Sequence, residues 1–164
     1  MSAILESIST PFRDPKAQLR LLSLHVSNEE TVHGTLQTWD RSRNPHFFSI
    51  SYVWGNPPLR KHIFVNGVQP SVTANCLYAV RQAHHHFPDV CVWIDSVCIN
   101  QSDLGEKAAQ ISAMGEIYAI AAQVLACVGP PDACSQAICK AAEDTDAFLQ
   151  ELPPPWPNHE DLIE

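Results

Sequence analysis

Residues 90–129 read VCVWIDSVCINQSDLGEKAAQISAMGEIYAIAAQVLACVG, and this stretch decides the predicted fold. Residues 90–95 and 123–129 are apolar at successive positions, as in strands of a parallel sheet that is covered on both faces. Between them, Asp103 begins a predicted helix that runs to about Ala122. An apolar stripe at helical spacing should face the core: Leu104, Ala108, Ile111, Met114, Tyr118 and Ala121.

The flanking sequence extends this strand–helix–strand unit in both directions. Residues 47–54 (FFSISYVW) predict a preceding strand, residues 75–87 a helix and residues 132–152 a last helix. Residues 19–26 and 31–39 predict an N-terminal β hairpin, and residues 62–72 a small β insertion that turns at Asn66-Gly67. The fold class is therefore α/β, with a mostly parallel sheet, flanking helices in a βαβ layout and these two additions.

Three segments follow from the same reading of the chain. Residues 1–17 predict a flexible lead-in, residues 18–152 the folded domain, and residues 153–164 a proline-rich acidic tail. Residues 1–142 carry 11 acidic and 10 basic residues, whereas residues 143–164 carry seven acids and no base. This balance offers no basic face for nucleic acid.

Location and redox state are predicted from what the sequence lacks. Without an apolar run of membrane-spanning length or a secretory signal pattern, we expect a cytoplasmic protein with no membrane association. The six cysteines show no close metal-type pairing, so we expect free thiols that are mostly buried.

Polar and aromatic residues follow two of the predicted strands, at the sheet edge where α/β proteins bind ligands. They form a candidate ligand cleft: Ser51, Tyr52, Trp54, Gly55, Asp95, Asn100 and Gln101. The alternative is structural, with Asp95 anchoring its loop while Asn100 and Gln101 satisfy turn groups, and we favour it on the residues alone. Trp54 either stacks on a ligand or closes the sheet edge, whereas Trp93 belongs to the core.

Other candidate sites are weaker. Asp103 and Glu106 have the spacing of a capping box, which argues against an anion at that helix start. Three adjacent histidines, His84 to His86, point about 100° apart on a helix and cannot all face one ion, so we predict no metal site. No nucleophile-elbow pattern surrounds Ser51 or Ser96, and the catalytic residues, if any, stay unknown.

Two stretches resemble the conserved motifs of fungal heterokaryon incompatibility (HET) domains. Residues 48–55 (FSISYVWG) resemble the first motif, and residues 93–101 (WIDSVCINQ) with the helix after them resemble the second. Residues 63–67 and 72–75 also resemble the family's usual sequence, so the similarity covers about residues 19–130. It implies a role in self/non-self recognition and programmed cell death, acting with other proteins of that pathway or by self-association.

HET domains are in turn distantly similar to Toll/interleukin-receptor (TIR) domains, some of which cleave NAD. This resemblance implies a TIR- or flavodoxin-like layout, no bound cofactor, and NAD as a possible substrate. The family's third motif, R-x-W-x-x-Q-E, supplies the glutamate expected to be catalytic, and residues 130–164 do not contain it. We therefore expect a domain that is incomplete on its C-terminal side and has no appreciable NAD-cleaving activity.

Overall fold

The computed structural model describes residues 8, 10–26, 31–55, 60–129 and 140–141. Residues 1–129 form one compact unit and residues 130–164 a second. The predicted last helix, 132–152, and the predicted tail lie outside the described residues, apart from residues 140 and 141, which are helical. The remaining description concerns the first unit.

The described residues of this unit form eight strands in two sheets. In chain order they are β1 (Gln18–Val26), β2 (Val32–Asp40), β3 (Phe47–Tyr52), β4 (Arg60–His62), β5 (Phe64–Val65), β6 (Ser71–Thr73), β7 (Cys91–Trp93) and β8 (Gln123–Cys127). The main sheet has the order β5–β2–β1–β7–β3–β8, and β4 pairs with β6 separately. Strand β3 is parallel to β7 and β8, and β2 to β5, whereas β1 is antiparallel to β2 and β7. The α/β class and the mostly parallel sheet are confirmed.

The predicted hairpins form where the sequence places them. Strands β1 and β2 pair along their whole length, from Gln18 with Asp40 to Val26 with Val32. Asn66 and Gly67 have φ angles of 50° and 78°. Residues with positive φ at both central positions give the twist of a tight hairpin turn. Val65 and Val68 accordingly exchange backbone hydrogen bonds of 2.8 and 3.0 Å.

Within described residues 60–129, four α-helices accompany the sheet: α1 (Ala74–His86), α2 (Asp95–Cys98), α3 (Leu104–Ser112) and α4 (Met114–Ile120). A 3-10 turn spans Arg41–Arg43. Side chains alternate between the two faces of a strand. Phe48 contacts Phe87 after α1, and Trp93 on the other face contacts Tyr118 of α4. Helices α1 and α4 therefore cover opposite faces of β3 and β7. No helix of the described residues is long and apolar enough to cross a bilayer.

Several predicted element ends are wrong. Residues 90–95 do not form one strand: β7 ends at Trp93, and Asp95 opens the one-turn helix α2. Strand β3 ends at Tyr52 rather than at residue 54. Residues 123–129 were expected to be covered on both faces, but β8 lies at the edge of the sheet, and Val124 is 46% exposed.

The predicted helix from Asp103 to Ala122 is two helices, and the predicted inward face is wrong for the first of them. Ala113 has a ψ angle of −3°, and its N–H is shared between the carbonyls of Ala109 and Gln110, so the turn tightens between α3 and α4. Only the second half of the predicted apolar stripe faces the core: Met114, Tyr118 and Ala121 pack against it, whereas Leu104 is 78% and Ile111 51% exposed. The buried residues of these helices are Glu106, Gln110, Ala113 and Ile117.

Arg20 explains why α3 buries its polar face. It lies in the middle of the apolar strand β1 and is 1% exposed, so its charge needs a partner in the core. Its Nη1 and Nη2 donate to the two carboxylate oxygens of Glu106 at 2.5 and 2.9 Å. Gln110, also buried, donates from Nε2 to the carbonyls of Pro15 and Gln18 at 2.6 and 2.9 Å. Polar partners, and not apolar packing, therefore fix which face of α3 turns inward.

Candidate functional site

The carboxyl ends of β3 and β7 lie side by side, because the two strands are parallel neighbours. Just beyond them, the Trp54 indole Nε1 donates to Asp95 Oδ2 at 2.9 Å. Trp54 is 44% exposed, so one side of the pair is open to solvent. The expected proximity of Trp54 and Asp95 is confirmed; that they bind a ligand stays a prediction.

Gly55 follows Trp54 at the end of the β3 side of the cleft, and its conformation requires glycine. Its φ angle is +75°, and a Cβ atom there would lie 2.6 Å from Nδ2 and 2.8 Å from Cγ of Asn75. The same Asn75 amide donates to the carbonyl of Val53 at 3.0 Å. The first turn of α1 is thus fastened to the strand end that carries Trp54.

A buried polar cluster lies beneath the cleft, on the α1 face of β3. Thr73 caps α1 by accepting from the Cys76 backbone N–H at 3.1 Å, and Cys76 Sγ lies 3.2 Å from Ser96 Oγ. Burial raises the pKa of the Cys76 thiol to about 11. Burial, and then the neighbouring Cys76, raise the pKa of Tyr52 above its ordinary value. Both groups are therefore neutral at physiological pH and act as hydrogen-bonding groups, not as nucleophiles.

Asp95 is the acid of this cleft. Burial raises its pKa, and the hydrogen bond from Trp54 lowers it in part. Its second oxygen, Oδ1, is buried without a hydrogen bond of good geometry among the described residues. A carboxylate with one committed and one uncommitted oxygen can accept a hydrogen bond from a hydroxyl or amide group of a ligand.

The remaining predicted cleft residues have structural partners. Asn100 is 8% exposed and accepts from the Ser102 N–H and hydroxyl at 3.1 and 2.8 Å. Gln101 Nε2 donates to the Asp95 backbone carbonyl at 3.1 Å. Both amides satisfy turn groups, as the structural alternative expected. Ser51 is exposed on the α4 face of β3, where its hydroxyl is a partner of Tyr118.

The predicted capping box is half correct. Asp103 Oδ1 accepts from the backbone N–H groups of Gly105 and Glu106 at 2.9 and 3.0 Å and caps α3. Glu106 does not return to the Asp103 N–H, which donates to the carbonyl of Asn100. Its carboxylate accepts from Arg20 and, at 2.6 Å, from the Asn100 N–H, because the buried guanidinium outcompetes an exposed helix end. Among the described residues, no His, Cys, Asp or Glu cluster could hold a metal ion.

Sequence reasoning missed Arg20, Asn75 and Cys76. Arg20 carries a usable signal, since a single charge inside the apolar run LRLLSLHV predicts a buried partner. Asn75 and Cys76 offer none, because only the fold brings the first turn of α1 to the ends of β3 and β7.

Comparison with known proteins agrees with these motifs. A family model described as heterokaryon incompatibility protein (HET) matches residues 47–160, more than half of the chain. The chain belongs to the HET family. The match begins at the first residue of β3 and includes every residue of the predicted ligand cleft. Glu106 lies inside the matched region, whereas its partner Arg20 precedes it.

One relative extends the similarity towards the N-terminus. Heterokaryon incompatibility protein 6, OR allele, of Neurospora crassa is 31% identical over an alignment of 160 residues that covers 88% of this chain and 24% of the relative. The chain thus spans about a quarter of that relative's length. No solved structure matches this HET chain.

Proposed function

We propose that this HET domain acts in fungal self/non-self recognition and programmed cell death signalling, in the cytoplasm, by assembling with a second copy of itself. The incompatibility role is supported by the family match and by the name of the Neurospora relative. The observation that carries the assembly step is the exposed apolar face of α3.

This face is the α3 stripe, defined as Leu104, Ala108 and Ile111. The three side chains have the i, i+4, i+7 spacing of one helical face, and all are exposed. The opposite face buries Glu106 and Gln110. A helix that buries polar residues and exposes apolar ones has a surface suited to a protein partner. An apolar patch can also pack against the same patch of a second copy, as a two-fold interface requires.

The test is the mass of the chain in solution. We expect size-exclusion chromatography with light scattering to show concentration-dependent association that Leu104→Asp and Ile111→Asp abolish. Ala109→Asp, which adds the same charge to the same helix at a position not three or four residues from any member of the stripe, should leave association unchanged. Fusing the variants into a full-length HET protein and scoring death of the fungal host should rank them in the same order. Variants that are monomeric yet kill as efficiently would contradict assembly as the mechanism.

Cleavage of NAD is the second candidate, favoured by the exposed Trp54 beside Asp95 and by the uncommitted Asp95 Oδ1. Glycosidic cleavage needs a carboxylate directed at the developing positive charge, which contributes several kcal/mol. The only acid that the described cleft offers has its other oxygen bound to Trp54. We therefore expect no nicotinamide release by the purified chain. Robust release that Asp95→Ala abolishes would make Asp95 catalytic and favour this second function.

A further inference from the structure

An acid-free stretch runs through the middle of this acidic chain. Residues 41–88 contain no aspartate or glutamate, although the chain has a net charge of −8. The same stretch contains ten arginine, lysine and histidine side chains: Arg41, Arg43, Arg60, Lys61, Arg81, His46, His62, His84, His85 and His86. The nearly neutral average of residues 1–142 hides this local excess of positive charge.

The fold gathers part of this charge around one groove. Strand β4 pairs with β6, with Lys61 opposite Val72 and His62 opposite Ser71, and α1 follows β6 directly. Arg81 lies two turns into α1, one turn after Leu77, so both side chains project from the same helical face. Lys61, His62 and Arg81 thereby line a groove of about 420 Å³.

The groove has the composition of a small-molecule site. Phe64 and Leu77 supply apolar surface, Gln69 a neutral polar group, and none of the described lining residues is acidic. The Arg81 Nε is buried and has no hydrogen-bond partner among the described residues. A buried donor without a partner is costly, and a ligand oxygen would satisfy it.

We propose that this groove binds a small phosphorylated ligand, with the phosphate groups on Arg81, Lys61 and His62 and an apolar or aromatic part against Phe64 and Leu77. Phosphate fits better than a single carboxylate because two cations, Arg81 and Lys61, and the His62 imidazole line the groove and a guanidinium binds phosphate oxygens in pairs. The volume lies within the range of about 300–1,000 Å³ that is typical of ligand pockets. No residue of the Trp54–Asp95 cleft lines this groove, so the proposal does not depend on the proposed function.

The experiment measures binding of ADP, inorganic pyrophosphate and adenosine to the full chain by calorimetry at about 150 mM salt. We expect ADP to bind most tightly, pyrophosphate more weakly and adenosine not measurably. Arg81→Gln and Lys61→Gln should each weaken ADP binding about tenfold or more, as expected for a lost charge-assisted hydrogen bond. Arg81→Lys, which keeps the charge without the planar fork, should have an intermediate affinity.

Arg43→Gln is the matched control, because Arg43 is an exposed cation of the same acid-free stretch that does not line the groove. It should bind ADP like the unmodified chain, and thermal melting should show that all variants fold. Equal weakening by Arg43→Gln and Arg81→Gln would reduce the effect to net charge and overturn the proposal. The absence of ADP binding at millimolar concentration, or adenosine binding as tight as ADP binding, would overturn it too.

Discussion

The two acids of the second motif differ in almost every physical respect, although only eleven positions separate them. Glu106 is 5% exposed and accepts from both Nη groups of Arg20 and from the Asn100 N–H. The Asp95 carboxylate accepts from the half-exposed Trp54 indole, and its Oδ1 has no hydrogen bond of good geometry among the described residues. The loop between them is therefore anchored in the core by Glu106, whereas its Asp95 end lies next to solvent at the exposed Trp54. A motif that looks uniform in sequence combines a structural anchor with an accessible surface.

The largest expected loss of stability follows from breaking the buried Arg20–Glu106 ion pair. Glu106→Ala leaves Arg20 charged and buried without its carboxylate, and breaking such a pair costs about 3–5 kcal/mol. Urea unfolding of the full chain should show this loss of stability. Glu116→Ala is the matched control, since it breaks the Arg41–Glu116 pair, in which the glutamate is 77% exposed, and exposed pairs contribute about 0–1 kcal/mol.

A second variant separates charge from packing. Replacing both partners, with Arg20→Met and Glu106→Leu together, should recover much of the stability, because an apolar pair has no desolvation cost. A Glu106→Ala chain as stable as Glu116→Ala would show that the buried pair does not anchor the loop.

The next largest loss of stability is expected at Gly55, which follows Trp54 on the β3 side of the cleft. Gly55→Ala strains a φ angle of +75° and forces a Cβ atom within 2.6 Å of the Asn75 amide, so we expect a loss of about 1–3 kcal/mol. Gly115→Ala should be neutral or stabilising, because that glycine is helical and a Cβ atom meets nothing within 4 Å. Adding Asn75→Ala to Gly55→Ala should recover only part of the loss, since the φ strain remains. Full recovery would mean that the clash alone requires glycine.

The structure shows what the sequence could and could not predict. That β3, β7 and β8 belong to one parallel sheet followed from their apolar runs and the helices between them, although β8 lies at the sheet edge and not in its centre. The orientation of α3 did not follow from its apolar periodicity. Its rotation is set by Arg20, 86 residues away in the chain, and no local pattern carries that information. The cleft was found in part: Trp54 and Asp95 meet as expected, but Asn100 and Gln101 serve the loop.

The smallest expected change in stability concerns Asp95, and it depends on pH. Because burial raises the pKa of Asp95, the folded chain holds a proton that the unfolded chain releases over the pH range between the two values. The stability from this group is present below the ordinary aspartate pKa, about 3.9, and is lost as the pH rises through the raised value.

Asp95→Asn removes that titration and keeps an oxygen for the Trp54 indole. Unfolding curves from pH 3 to 7 should therefore show the unmodified chain losing stability relative to Asp95→Asn as the pH rises. Trp54→Phe removes the hydrogen bond that favours the carboxylate, so its loss with pH should be steeper than that of the unmodified chain. Parallel stability profiles for all three chains would mean that Asp95 is as well solvated as an ordinary surface acid.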